Sequence, residues 1–536
     1  MVTFPTPQGF VYSNFKGIRT RNGVNTGGSI SAVECQNVDF IPNTVGSDIQ
    51  IKSTIGNTFV AEYPDFSLVK GFETVQDETR YCIVYAENET KGILLRYNEI
   101  EKTFTVLVDN LRTNEGRANG ITMKDTAYDV FIFTNGLDYY SINFAEEEEV
   151  VKVIEPVYNK QPVTGLALAE LDGSLVIGQQ DGYGLVIGSR QGDIYDWDYA
   201  QTADDKTKAW YQLFGKGVTA IVPYIGGLLV FTKDDSTMLK GNPADITTFE
   251  RLDASIGGCM SFESWCYHDK YLFFYDNVQK NMYYYTQIDT GQKVLGEPIA
   301  PEVQKYFDDV KKLQMVSYIG ENRSEIWVLT EDFKLIYDYF VGEWSERVCQ
   351  PISSYFVFKN AVYSTTPKYE ITNENGEVIN FNGKILKEKD GLDSCVFDKE
   401  FYPAIYKMQT INLGSYSNMK EMEMQPLFTV SDNYDNEFMI DCLINGKKTK
   451  TKAVKLIVNG GEWGDDSEEM KRENQFDVAV FSAGSDYVTH QLKGKFVSNW
   501  YYLQFTIRTE KLGQEFNILA MELKGITIEE DTIGRK

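Results

Sequence analysis

A stretch near the middle of the chain, residues 324–344, has the pattern of an antiparallel meander. Residues 326–329 form an apolar run of strand-forming types, and residues 330–333 turn the chain. Residues 334–340 then alternate between two faces, as the side chains of a β-strand do. Because a small meander cannot bury both of its faces alone, further sheets must pack beside it.

The same layout of strand, turn and strand recurs along the chain, although the residues themselves are not repeated. Successive copies begin roughly 40–55 residues apart, which is the size of a four-stranded propeller blade. We therefore predict an all-β protein with a β-propeller of about six or seven blades in residues 66–388. The alternative is a large antiparallel sandwich of meanders. The copies cover residues 81–97, 130–143, 175–189, 228–240, 271–286 and 324–344, with a weaker one in residues 354–379.

Two further segments flank the predicted propeller. Residues 1–65 lack the blade pattern, and we expect an N-terminal β segment that contacts neighbouring proteins. A polar, irregular stretch near residue 389 marks a boundary, and the strand patterns after it have a different spacing. The pair Asn445-Gly446 in this region is a strong hairpin signal. Residues 389–536 are therefore predicted to form a C-terminal β-sandwich.

The chain is strongly acidic, since 52 lysine and arginine residues against 78 aspartate and glutamate residues give a formal net charge of −26. Such a surface does not hold DNA or an anionic membrane by general electrostatic attraction. The sequence has no apolar run of about 18 residues, so we predict no membrane span. Seven scattered cysteines, an odd number, fit free thiols made in a reducing compartment.

Catalytic chemistry has little support in the sequence, which contains only two histidines and no nucleotide-binding or zinc-protease motif. The enzymatic alternative is a propeller glycoside hydrolase, which needs carboxylates near the central tunnel. Four carboxylates stand beside strand patterns, at positions that are also common turn caps: Asp129, Asp172, Asp269 and Glu325. We predict no catalytic, cofactor-binding or metal-binding residues and no enzymatic activity.

An acidic run between two strand patterns is the first candidate contact site. Because adjacent like charges repel, the run must be solvated. It forms either an outer hairpin tip or, once copies assemble, an acidic ring that faces a lumen. The run consists of Glu146, Glu147, Glu148 and Glu149.

A dense basic cluster near the C-terminal end is the second candidate contact site. It is either a solvated edge that prevents strands from aggregating or an electrostatic dock for an acidic neighbour, such as the propeller of another copy. A tryptophan in the acidic loop that follows is predicted to pack on a partner. These residues are Lys447, Lys448, Lys450, Lys452 and Trp463.

The opening segment and residues 163–275 carry a further pattern. In the opening segment, a strand around an asparagine is followed by a strand that ends in glycine, at Cys35, Asn37, Val38, Ile55 and Gly56. Residues 163–275 contain a tryptophan strand, a Gly-Gly-Leu-Leu-Val-Phe strand and an Ile-Gly linker before a Tyr-Leu-Phe-Phe strand. Their key positions are Trp210, Gly227, Leu229, Phe231, Gly241, Ile256, Gly257, Ser261, Tyr271 and Phe273. Together these stretches resemble the tail tube, nozzle or muzzle β-propeller proteins of short-tailed bacteriophages, which include DNA-stabilisation proteins.

The resemblance implies a structural subunit of a virion tail. Such a subunit forms a homo-oligomer, a hexamer, around a channel through which DNA passes without specific binding during genome retention and ejection. It contacts other tail proteins and the adaptor proteins on the portal side, after synthesis in the cytoplasm of the bacterial host. A propeller glycan hydrolase and a tail protein that binds a host receptor are the alternatives.

Overall fold

The computed structural model describes most of the chain, and strands are distributed along all of its length that is described. The described residues are 8–19, 29–42, 48–125, 128–144, 149–200, 202, 204–254, 256–287, 293–320, 323–372, 378–391, 395–413, 416–422, 426–431, 436–448, 452–456, 487–491 and 499–528. Within these ranges, the 3-10 turn Pro301–Tyr306 is the one helical element. No described helix is long and apolar enough to cross a membrane.

The strands are numbered in chain order. The first five are β1 (Gln8–Tyr12), β2 (Asn14–Ile18), β3 (Ser29–Gln36), β4 (Val38–Pro42) and β5 (Ile49–Ser53). The next group is β6 (Asn57–Tyr63), β7 (Ser67–Gln76), β8 (Thr79–Glu87), β9 (Gly92–Asn98), β10 (Thr103–Leu111), β11 (Asn119–Asp125), β12 (Tyr128–Thr134), β13 (Tyr139–Asn143), β14 (Val150–Val153), β15 (Val157–Tyr158), β16 (Gln161–Pro162), β17 (Ala167–Leu171), β18 (Ser174–Gly178), β19 (Leu185–Gly188) and β20 (Trp210–Leu213). It continues with β21 (Val218–Tyr224), β22 (Gly227–Thr232), β23 (Ser236–Lys240), β24 (Glu250–Asp253), β25 (Trp265–His268), β26 (Tyr271–Asp276), β27 (Asn281–Gln287), β28 (Lys293–Leu295), β29 (Leu313–Ile319) and β30 (Ser324–Thr330).

The remaining strands complete both units of the chain. They are β31 (Lys334–Asp338), β32 (Glu343–Glu346), β33 (Ser354–Phe358), β34 (Ala361–Thr365), β35 (Tyr369–Thr372), β36 (Val378–Phe381), β37 (Gly383–Glu388), β38 (Val396–Phe397), β39 (Glu400–Phe401) and β40 (Ile405–Met408). The last nine are β41 (Lys420–Met422), β42 (Leu427–Ser431), β43 (Asn436–Ile444), β44 (Lys447–Lys448), β45 (Lys452–Leu456), β46 (Tyr487–Gln491), β47 (Asn499–Trp500), β48 (Leu503–Arg508) and β49 (Asn517–Ile528).

The chain divides into two compact units. The propeller unit contains residues 58–334 and 350–388, and the second unit contains residues 1–57, 335–349 and 389–536. The propeller is therefore inserted into the second unit, whose strands come from both ends of the described chain.

The propeller unit has six blades, each a four-stranded antiparallel sheet. Five are contiguous meanders, namely β7–β10, β11–β14, β17–β20, β21–β24 and β25–β28. The first strand of each is the innermost, because β7 contacts β11, β11 contacts β17, and β17 contacts β21. The prediction of an all-β propeller is confirmed, and the alternative of a flat sandwich of meanders is wrong for this region.

The sixth blade is built from two distant segments. β33, β34 and β37 are joined at their outer edge by β6, which precedes the first blade in the sequence. The hairpin of β29 and β30 lies between the fifth and sixth blades, since β29 contacts both β25 and β33. β33 in turn contacts β7, which closes the ring without a free end.

The core of the propeller lies between neighbouring blades. Phe131 and Phe133 are buried on β12, and the ring of Phe133 lies 5.2 Å from the ring of Tyr85 in the preceding blade. Phe72 of that blade contacts Phe131 at 5.6 Å. Because burying one such side chain contributes roughly 1.5–3 kcal/mol, these interfaces hold each blade against the next.

The second unit contains two large sets of paired strands. β49 pairs with β1, β5, β41 and β42, while β3 pairs with β2, β32 and β40. The strands of residues 389–536 thus share both sets with strands of residues 8–53, so the opening segment is not a separate domain. The boundary predicted at residue 65 does not separate a domain, because the edges of each set of strands are paired with strands from the other end of the chain. The C-terminal β-sandwich stays a prediction.

Candidate functional site

A cavity of about 1010 Å³ opens at the centre of the propeller unit. We name it the axial cavity. The innermost strands β11, β17, β21 and β25 line it, together with the turns that follow three of them. Residues from four different blades therefore converge on one space, which is the arrangement in which proteins place binding sites.

The alternation of β25 determines one wall of the axial cavity. Trp265, Tyr267 and Asp269 line the cavity, whereas Cys266 and His268 between them are buried in the core. This is the two-residue period of a strand. The rings of Trp265 and Tyr267 lie 5.9 Å apart in an edge-to-face arrangement, and the Tyr267 hydroxyl donates a hydrogen bond to the carbonyl of Pro223.

A carboxylate pair forms the wall contributed by β17. Glu170 near the end of the strand and Asp172 in the turn that follows it both line the cavity. Burial raises the pKa of Glu170, and the negative charges of Asp129 and Asp172 raise it further. The charged form of this carboxyl group is therefore disfavoured unless a positive group comes near.

The four carboxylates singled out in the sequence are partly brought together. Asp172 and Asp269 line the axial cavity and occupy left-handed turn positions, with φ angles of 49° and 53°. Glu325 is buried instead and accepts a hydrogen bond of 2.9 Å from the indole nitrogen of Trp327. Asp129 on β12 pairs with Lys124 of β11 and is outside the cavity lining.

Three lining residues of the axial cavity were not recognised from the sequence. Trp265 and Tyr267 lie in a strand whose alternation was readable, and Glu170 lies two residues before the predicted candidate Asp172. The alternation of the sequence shows which side chains share one face of a strand. That β17 and β25 face a common space follows only from the closed ring.

A second cavity, of about 1020 Å³, opens at the other ends of the innermost strands. Ser67 and Val69 at the start of β7 line it, as do Lys312 before β29 and Ser353 before β33. Its rim also carries acidic residues, of which Glu331 accepts hydrogen bonds from the backbone of Lys312 and its neighbour.

A buried ion pair joins two blades that are not neighbours. Lys70 of β7 contacts the carboxylate of Glu263, which precedes β25, and only 13% and 10% of the two side chains are exposed. Burial lowers the pKa of Lys70, while the charge of Glu263 opposes this shift. The first and fifth blades are not adjacent in the ring, so the pair joins elements that are separated by other strands.

The buried imidazole of His268 is held by hydrogen bonds at both of its nitrogen atoms. Its Nδ1 lies 2.9 Å from the hydroxyl of Ser317, and its Nε2 lies 2.6 Å from the hydroxyl of Ser324. The side chain is fully buried, and burial lowers its pKa while the charge of Asp269 acts in the opposite direction. The imidazole therefore connects β25 to both strands of the β29–β30 hairpin.

The structure describes only part of the acidic run. Glu149 forms an ion pair with Arg96 of the first blade, so this residue is paired within the chain. The other three residues of the run lie outside the described residues, namely Glu146, Glu147 and Glu148. The hairpin tip and the acidic ring both stay predictions.

The basic cluster is described in part. Lys447 is exposed at the start of β44, directly after the two-residue turn from β43, in which Asn445 has a φ angle of 49° and Gly446 one of 77°. The predicted Asn-Gly hairpin is thus confirmed. Lys448 and Lys452 lie on β44 and β45. The remaining two predicted contact residues, Lys450 and Trp463, lie outside the described residues.

Asn37, one of the positions behind the family resemblance, holds three segments of the second unit together. It has a φ angle of 51°, a left-handed conformation that asparagine tolerates. Its Nδ2 donates to the carbonyls of Val348 at 2.8 Å and Pro403 at 3.2 Å, and its Oδ1 accepts from the amide of Val348 at 3.0 Å. The amide of Thr54 donates to the Asn37 carbonyl at 2.9 Å.

Gly56, another of these positions, is required by close backbone packing. A Cβ atom at this residue would lie 1.5 Å from the carbonyl oxygen of Val396. Such an approach cannot be relieved by rotating a side chain, because the neighbour is backbone. The residue therefore excludes every side chain.

Among the residues that the structure describes, no group of three or more histidine, cysteine, aspartate or glutamate side chains is arranged to hold a metal ion.

No protein-family model and no curated protein matches the chain. Solved structures with distant similarity include the extracellular domain of a putative one-component system from B. thetaiotaomicron, with 11% identity and a TM-score of 0.39. That match covers 77% of this chain and 49% of that chain. YCF48 bound to D1 peptide has 11% identity and a TM-score of 0.34, covering 62% of this chain and 99% of that one. A luciferin-regenerating enzyme has 10% identity and a TM-score of 0.32, covering 62% and 94%.

Proposed function

We propose that the chain is a structural, non-catalytic subunit of the tail of a short-tailed bacteriophage. In this role, copies of the chain form a ring around the path of the DNA, as a nozzle, muzzle or hub. The ring retains the genome before ejection and conducts it afterwards.

One observation carries this proposal. Two of the positions through which the opening segment resembles phage nozzle proteins, Asn37 and Gly56, constrain the geometry of the second unit. Asn37 connects the opening segment to residues 335–349 and to the C-terminal segment. Gly56 permits an approach of Val396 that no other residue allows. A resemblance at positions that constrain the backbone supports the proposal more than a resemblance in composition would.

The charge of the chain supports the same role. With a net charge of −26, the surface repels a DNA duplex in transit. A conduit needs this property because a protein that binds the passing duplex would slow its passage. Positive contacts to phosphates would instead be needed for a protein that packages or recognises DNA.

The proposal predicts where the protein is found. Phage particles purified from a lysate of the host that carries the gene should contain the chain at a fixed number of copies per portal ring. Quantitative mass spectrometry of gradient-purified particles measures this ratio. A chain confined to the host lysate, or present in particles at variable trace amounts, would contradict a tail role.

A further inference from the structure

The axial cavity carries more negative than positive charge. Glu170, Asp172 and Asp269 line it, and Lys270 is its one lining cation among the described residues. The ammonium of Lys270 lies 5.4 Å from the ring centre of its neighbour Tyr271, outside the lining. Neither Asp172 nor Asp269 has a hydrogen bond or ion pair to another described residue.

Aromatic faces accompany these carboxylates. Trp265 and Tyr267 of β25 and Tyr224 at the end of β21 line the same cavity. The face of an aromatic ring attracts a cation, and several rings around one space form the cage that proteins use for alkylammonium groups. The carboxylates supply the matching charge, whereas a purely hydrophobic ligand would leave them desolvated.

We infer that the axial cavity binds an organic ammonium ion, held by the rings of Trp265 and Tyr267 and by the carboxylates of Asp172 and Asp269. The ammonium is that of a small amine or of a lysine side chain from another polypeptide. This inference stands apart from the proposed tail function, since a propeller in any assembly would present the same cavity.

Choline and its uncharged isostere 3,3-dimethyl-1-butanol form the decisive pair of probes, because they differ in charge and hardly in shape. Isothermal titration with the full chain should show saturable binding of choline at least about tenfold tighter than binding of the isostere.

A synthetic peptide of residues 445–456, which is rich in lysine, forms a second arm of the experiment. Binding of the peptide without choline would assign the cavity to lysine side chains. Equal binding of choline and its isostere, or binding of none of the three probes, would overturn the inference.

Variants of the cavity locate the binding. Asp269→Asn and Tyr267→Ala should each weaken binding of the cation about tenfold, whereas Tyr267→Phe keeps the ring and should retain most of the affinity. Asp332→Asn removes the same charge from an exposed turn outside both cavities and is the matched control. Unfolding midpoints verify that each variant is folded. Equal affinity of the Asp269→Asn and Asp332→Asn variants would place the cation elsewhere and overturn the assignment.

Discussion

Lys70 and Glu263 form a buried ion pair between the first blade of the propeller and the segment that precedes the innermost strand of the fifth. The pair therefore connects two blades that are not adjacent in the ring.

Removing one member of this pair should destabilise the protein strongly. Lys70→Met leaves the carboxylate of Glu263 buried without its cation, and we expect the free energy of unfolding to fall by about 3–5 kcal/mol. The double variant Lys70→Met/Glu263→Leu removes both charges and should recover much of this loss. Urea unfolding followed by tryptophan fluorescence measures the three differences. Additive losses in the double variant would contradict the pairing.

The buried imidazole of His268 makes stability depend on pH. Burial lowers its pKa in the folded protein, so below about pH 6.5 the unfolded chain takes up a proton that the folded chain does not. The stabilisation is therefore complete above pH 6.5 and is lost as the pH falls. We expect the free energy of unfolding to decrease by up to about 1.4 kcal/mol per pH unit through this group.

Replacement of His268 tests this pH dependence. His268→Gln should reduce the loss of stability between pH 7.5 and pH 5.5 relative to the unmodified protein, because the titrating group is gone. Urea unfolding at several pH values measures each slope. An unchanged slope in His268→Gln would show that this imidazole titrates normally in the folded state.

Gly56 should tolerate no side chain. Gly56→Ala places a Cβ atom 1.5 Å from the Val396 carbonyl oxygen, so the backbone must move. We expect a loss of more than about 4 kcal/mol, or failure to fold. Gly9→Ala is the control within the same unit, since its Cβ atom would lie 3.9 Å from the nearest neighbour, the Leu523 carbonyl oxygen. Thermal unfolding of both variants tests the prediction, and similar midpoints would contradict it.

The blades were predictable from the sequence because each meander is local and its strands alternate visibly. The sixth blade was predicted only in part, as the weaker copy in residues 354–379, since β6 and β37 lie more than 300 residues apart and no local period connects them. The strand pairing of the second unit was not predictable for the same reason, since strands near residue 50 pair with strands near residue 518. For the site, the turn positions of Asp172 and Asp269 were readable, whereas their convergence depends on closure of the ring.

The central claim, that this chain forms a ring in a phage tail, is tested most directly by electron cryomicroscopy of purified particles. The account predicts six-fold density below the portal into which the propeller fits, with about six copies of the 61.1 kDa chain around an open central channel. Particles whose tails contain no density that fits this propeller, or in which the propeller is a monomer away from the DNA path, would contradict it.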